Sequence, residues 1–154
     1  MARIARVSHV VLNVSDPEAS ADWYRDVLGM EWMNYSPILG MSFMSFGTLD
    51  HDMALIKAPE GVELGSPGLS HTALCIDGGE EELKEIYQRI KASGAKIDFL
   101  ADHGLTKSLY FFDPDGNRLE VFYQYMFGEE AMNYMREAGA VLDDYEELEV
   151  APAD

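Results

Sequence analysis

Two serine–histidine pairs sixty-two positions apart constrain this chain more than any other feature. Ser8-His9 opens the apolar run Val10-Val11-Leu12, and Ser70-His71 opens Thr72-Ala73-Leu74. Each run reads as a strand that leads into a helix. The first helix is predicted to start at Asp16-Pro17, an N-cap residue followed by proline at the first helical position. Trp23, Tyr24, Val27 and Leu28 then recur at helical spacing, and Gly29 ends the helix. In the second half Leu83, Ile86, Tyr87 and Ile90 make the same stripe, with Gly94 as the stop. Strands are predicted over 31–35, 41–46 and 53–57 after the first helix, and over 96–100, 108–112 and 119–127 after the second. The expected fold is α+β: two paired βαβββ modules, about 4–57 and 69–127. Neither strand set can bury both faces alone, so the modules are expected to pack together as one domain over 1–127. Residues 128–154 form an acidic tail, with a helix expected over 130–138.

Charge narrows the function classes. The formal net charge is −17, which argues against nucleic acid and anionic membranes as partners, since both call for basic surfaces. The tail holds nine of the acids against Arg136 alone and reads as a solvated face. Cys75 is the only cysteine; its apolar strand suggests a packed thiol, and no intrachain disulfide can form. No signal peptide or membrane span is visible, so a cytoplasmic location is expected. The methionines read as core and helix packing.

His9, His71 and Glu120 each sit in a strand-like run. Two imidazoles and one carboxylate that leave coordination positions open suit Fe(II) engaged with a substrate and dioxygen together. Asp113-Pro114-Asp115-Gly116-Asn117 is strong turn chemistry between two strands. A loop centred on Asp115 would place Tyr110 opposite Glu120 on one face, with Phe112 and Phe122 beside them; a bulge at Gly116 would shift that register by one. A carboxylate in such surroundings calls for a cation or strong hydrogen bonds. Asn13 shares the strand face of His9, either as a support or as a polar edge residue. Phe112, Phe122, Trp32, Met41 and Phe43 are candidates for an aromatic pocket.

The paired units, the histidine opening each, and the segment Ser108-Leu109-Tyr110-Phe111-Phe112-Asp113-Pro114-Asp115-Gly116-Asn117-Arg118-Leu119-Glu120 resemble the vicinal oxygen chelate superfamily over roughly residues 4 to 127. That superfamily includes glyoxalase I, bleomycin- and fosfomycin-resistance proteins and type I extradiol dioxygenases. In glyoxalase-like members a fourth ligand comes from the last strand of the first unit. The repeat-equivalent position here falls near Ala54, which cannot ligate. The remaining set resembles that of type I extradiol dioxygenases such as catechol 2,3-dioxygenase; these often carry the paired units twice, and the single pair here resembles their smaller one-domain members. The resemblance implies a curved, barrel-like mixed sheet around a metal site, with Fe(II), or alternatively Mn(II) or another divalent metal, on His9, His71 and Glu120. It further implies His51 as an acid/base, Tyr110 as a hydrogen-bond donor to a substrate oxygen, and His103 near the substrate mouth. By strand parity His51 reaches the metal face only if its strand bends or begins after it. The implied partners are a small aromatic diol, dioxygen and further copies of the chain in a homodimer or larger assembly. A glyoxalase-like isomerase, a thiol transferase and a non-catalytic drug-binding protein are the alternatives.

Overall fold

The computed structural model describes residues 9–65, 69–137 and 143–145. In chain order the elements are β1 (Val10–Val14), α1 (Pro17–Leu28), β2 (Glu31–Ser36), β3 (Met41–Ser45), β4 (Met53–Lys57), β5 (Thr72–Cys75), α2 (Glu80–Ala92), β6 (Ile97–Asp102), β7 (Thr106–Phe112), β8 (Arg118–Gln124), α3 (Gly128–Glu137) and β9 (Asp143–Asp144). Two compact units result. The first gathers β1–β4 and α1 with the Pro114–Asn117 turn, and the second gathers the remaining elements. Each repeats the βαβββ order expected from the sequence.

The first sheet runs β1-β4-β3-β2 and the second β5-β8-β7-β6-β9. In both, the opening strand pairs in parallel with the last strand of the unit, and the other two strands add antiparallel. Among the described residues neither sheet closes on itself. The small strand β9, beyond the predicted set, pairs with β6. No helix among the described residues is long and apolar enough to cross a membrane.

Local chemistry explains the helices. The Asp16 carboxylate accepts from the backbone N–H groups of Glu18 and Ala19, Pro17 follows, and Gly29 closes α1 in a left-handed conformation. Ser20, Ala21, Tyr24 and Val27 form its buried face. In α2 the Glu82 side chain reaches back to accept from the Gly79 N–H at 2.8 Å, and Leu83, Tyr87 and Ile90 are buried. The tail helix occupies Gly128–Glu137; Ala138, its expected last residue, lies outside the described residues, as do Val7 and Ser8.

Strand limits differ from the reading in two places. The β6–β7 hairpin is tighter, because the Asp102 carboxylate accepts from the Gly104 N–H at 2.8 Å and His103 N–H donates to the Thr106 carbonyl. At the other end β8 stops at Gln124, whose side chain turns to donate to the Met126 carbonyl. Two burial expectations are corrected. Cys75 is exposed, because it lies on the edge strand β5 on the same face as exposed Ala73. Met44 and Met53 are buried as expected, whereas Met132 and Met135 are exposed on α3.

Candidate metal centre

Strand register builds the centre of the second unit. β5 places Ala73 beside Glu120 on β8, β7 places Tyr110 on the other side of Glu120, and β6 places Phe99 beside Tyr110. The β7–β8 register runs unbroken from Phe112↔Arg118 to Thr106↔Gln124. Tyr110 therefore faces Glu120, and no bulge at Gly116 intervenes. His71 precedes Ala73 by two residues, and its Nε2 lies 3.0 Å from Glu120 Oε2. The carboxylate is buried at 7% exposure, a placement that requires partners for its charge.

Tyr110 is ringed by polar and aromatic groups. Its hydroxyl lies 2.9 Å from His103 Nε2. Its ring stacks on Phe99 at 4.3 Å and meets the His71 ring edge-on at 5.4 Å. The Arg118 guanidinium carbon lies beside the stacked pair, 4.8 Å from the Tyr110 ring centre and 5.1 Å from that of Phe99. Burial, and then the neighbouring Glu120 carboxylate, push the Tyr110 hydroxyl up to about 12, with Arg118 pulling the other way. The hydroxyl thus keeps its proton at neutral pH and can donate it in a hydrogen bond. His103 sits in a turn held by Asp102, which also accepts from the Tyr125 hydroxyl at 2.6 Å. Gly104 next to it has φ +79°, and a Cβ there would collide with the Tyr134 hydroxyl of α3.

The first unit holds His9 and His51. β4 begins at Met53, after His51, which frees that side chain from the strand's alternation. The His51 ring lies 4.5 Å from the His9 ring and 5.3 Å from the Phe43 ring. His51 Nδ1 is 2.6 Å from Asp50 Oδ2. Val11 and Phe43 both pair with Ala54, as Ala73 and Tyr110 both pair with Glu120. Ala54 is thus the repeat equivalent of Glu120, as the sequence spacing suggested. Trp32 pairs with Met44, on the opposite face from Phe43, and so leaves the candidate aromatic wall.

The donor set of the second unit fits a divalent ion. The His71–Glu120 spacing of 3.0 Å is that of a direct hydrogen bond and is also compatible with two adjacent ligands of an octahedral ion at about 2.1 Å. Within either unit, among the described residues, no three His, Cys, Asp or Glu side chains come together to hold a metal ion. Sequence reasoning missed Arg118, Asp98 and Phe99 around Tyr110. Alternation along β8 was a usable signal for Arg118, two residues before Glu120; the other two depend on a bulge that no local motif announces.

Comparison with known proteins agrees with this architecture. Residues 6–121 match the model of the Glyoxalase/Bleomycin resistance protein/Dioxygenase superfamily. A biphenyl-2,3-diol 1,2-dioxygenase of Rhodococcus globerulus is 36% identical over 124 residues, covering 79% of this chain and 64% of that protein. A second such dioxygenase from the same organism is 33% identical over 138 residues, covering 84% of this chain and 70% of its own length. The chain thus spans less than two thirds of the first relative. The fosfomycin resistance protein FosX of Listeria monocytogenes, solved with Mn(II) and sulfate, superposes with a TM-score of 0.67 at 22% identity, covering 85% of this chain and 98% of that one; this likeness concerns the fold. With a family model matched over most of its length and two relatives above 30% identity, the chain belongs to the Glyoxalase/Bleomycin resistance protein/Dioxygenase superfamily.

Proposed function

We propose that this protein is an Fe(II)-dependent extradiol dioxygenase that opens the ring of a catechol-type substrate with dioxygen to a muconic semialdehyde. The observation that carries the reading against a four-ligand isomerase is Ala54 standing at the repeat equivalent of Glu120; a thiol transferase would share the remaining three ligands. The metal would then be held by His9, His71 and Glu120 alone, the two-histidine, one-carboxylate set that leaves room for a diol and dioxygen. The names of the two Rhodococcus relatives support the same chemistry.

When bound, the metal supplies a meeting point for diol and dioxygen and a route for electron density between them. The chain's own residues supply the rest. Asp50 engages His51 Nδ1, leaving Nε2 to take a proton from the incoming diol and return it as the ring opens. General acid–base help of this kind is worth roughly 10²–10⁴ in rate. With His103 Nε2 against its oxygen, the Tyr110 hydroxyl directs its proton to a substrate oxygen. Phe112 and Phe122 flank this row on the same face of their strands, and both are half-buried, suitable walls for an aromatic ring. The substrate is a small aromatic diol, and the assembly is a homodimer or larger.

The test is oxygen-dependent ring fission. The protein is loaded anaerobically with Fe(II), mixed with catechol, 3-methylcatechol or 2,3-dihydroxybiphenyl, and exposed to air. A yellow product that requires iron, and that is lost in His71→Ala and Glu120→Ala, is the expected result. A bound metal without colour would move the assignment to an isomerase or thiol transferase, and absence of both to a binding protein.

A further inference from the structure

We propose that Arg118 is a positioning residue: pinned by Asp98 at the β6 bulge, it holds the Tyr110 ring and thereby aims the Tyr110 hydroxyl. The inference rests on the ring-cleavage reading for its kinetic consequence, while its structural content stands within the second unit.

Three observations converge on Arg118. Its guanidinium carbon lies alongside the stacked pair, 4.8 Å from the Tyr110 ring centre and 5.1 Å from that of Phe99, within the range at which a cation is attracted to an aromatic ring. Nε and Nη2 each lie 2.8 Å from Asp98 Oδ2, so the planar fork is oriented before any ligand arrives. Finally, β6–β7 pairing passes from Ile97↔Phe111 directly to Phe99↔Tyr110. Asp98 is the extra residue of that bulge, a feature that re-aims side chains.

The first unit supplies the control. It carries the same bulge, between Trp32 and Asn34, yet Met33 occupies the position of Asp98 and Asp52 that of Arg118. Asp52 there accepts from the Phe46 N–H, and Met33 is exposed. The ion pair is therefore not needed to form the bulge. It occurs where the row also carries a tyrosine and a glutamate, and is missing where Phe43 and Ala54 replace them. Both partners are partly exposed, at 26% and 32%, and such pairs add little to stability. The role left for this one is geometric.

A double-mutant cycle tests the proposal, with Arg118→Met and Asp98→Asn made in the wild-type and Tyr110→Phe backgrounds and with Arg118→Lys alongside. Displacing an aiming group by about 1 Å can reduce rate up to roughly 10²-fold. Arg118→Met is therefore expected to lower kcat at least about tenfold while KM changes less than about threefold, and Arg118→Lys, lacking the planar fork, is expected not to restore it. In the Tyr110→Phe background the same change should alter kcat by no more than about twofold. An equal further loss there would overturn the proposal, because Arg118 would then act independently of the hydroxyl. A second readout needs neither metal nor turnover: the Tyr110 resonance of ¹³Cζ-tyrosine-labelled protein, identified by its loss in Tyr110→Phe. It should move in Asp98→Asn, which retains the arginine charge. An unmoved resonance overturns the proposal whatever the kinetics. Wild-type protein that cleaves no diol removes the ring-cleavage reading and leaves the positioning claim to be decided by that resonance.

Discussion

In the first unit the ladder row beside the opening histidine reads Val11, Ala54, Phe43, Asn34; in the second it reads Ala73, Glu120, Tyr110, Phe99. Parallel and antiparallel pairings match, and so does the bulge one step before the end of the row. Backbone hydrogen bonding and the opposite, helix-covered faces are enough to form this sheet. The side chains of the row are consequently free to differ, and they differ in chemistry. One row is apolar but for Asn34, with Ala54 buried. Its counterpart buries a carboxylate and supports it with a histidine, and a tyrosine beside it is stacked, hydrogen-bonded and flanked by a cation. The comparison locates where the fold tolerates function.

The strongest way to break the contrast is Glu120→Ala, which makes the second row resemble the first. Metal affinity should fall by more than the roughly 10–100-fold that follows loss of an outer-shell partner, with ring fission abolished; metal content after gel filtration and the yellow-product assay read both effects. The converse is Ala54→Glu. A carboxylate placed in the buried, otherwise apolar row has His9, the repeat counterpart of His71, as its candidate partner, and the metal-free protein should still lose about 1–3 kcal/mol, seen as a lowered Tm. Stability unchanged in Ala54→Glu would show that the two rows are equally tolerant of charge.

Smaller effects sharpen the comparison at the edges of the units. Gly104→Ala combines a left-handed backbone with a collision against Tyr134 and should destabilise by about 1–3 kcal/mol. Limited proteolysis within α3 should rise with it, and the His103–Tyr110 contact should loosen. Asp16→Ala removes the side-chain cap of α1 and should remove about 1 kcal/mol by denaturant titration. Glu82→Ala is expected to change α2 less, since Glu82 accepts from the Gly79 N–H alone whereas Asp16 accepts from two backbone N–H groups.

Much of this arrangement was legible from residues alone. The Asp16-Pro17 start and Gly29 stop are local rules, and α1 follows them. Strict turn chemistry at Asp113–Asn117 set the β7–β8 register and so placed Tyr110 against Glu120. The turn is itself held inside the first unit, where Asp115 accepts from Ser15 N–H and Ser20 Oγ; no local pattern connects residues a hundred positions apart. Cys75 misled because an apolar strand reads as buried until its place at the sheet edge is known. His51 was ambiguous because strand parity depends on where β4 begins.

The sequence by itself determined the paired βαβββ order, the limits of α1 and the candidate donors His9, His71 and Glu120, because periodicity, capping and turn preferences act over a few residues. Tertiary structure alone decided the bulge at Asp98, the seating of Arg118 on Tyr110, the approach of His51 to His9 and the exposure of Cys75. Each of these depends on which strand lies alongside which, and on the space left between side chains that are distant along the chain.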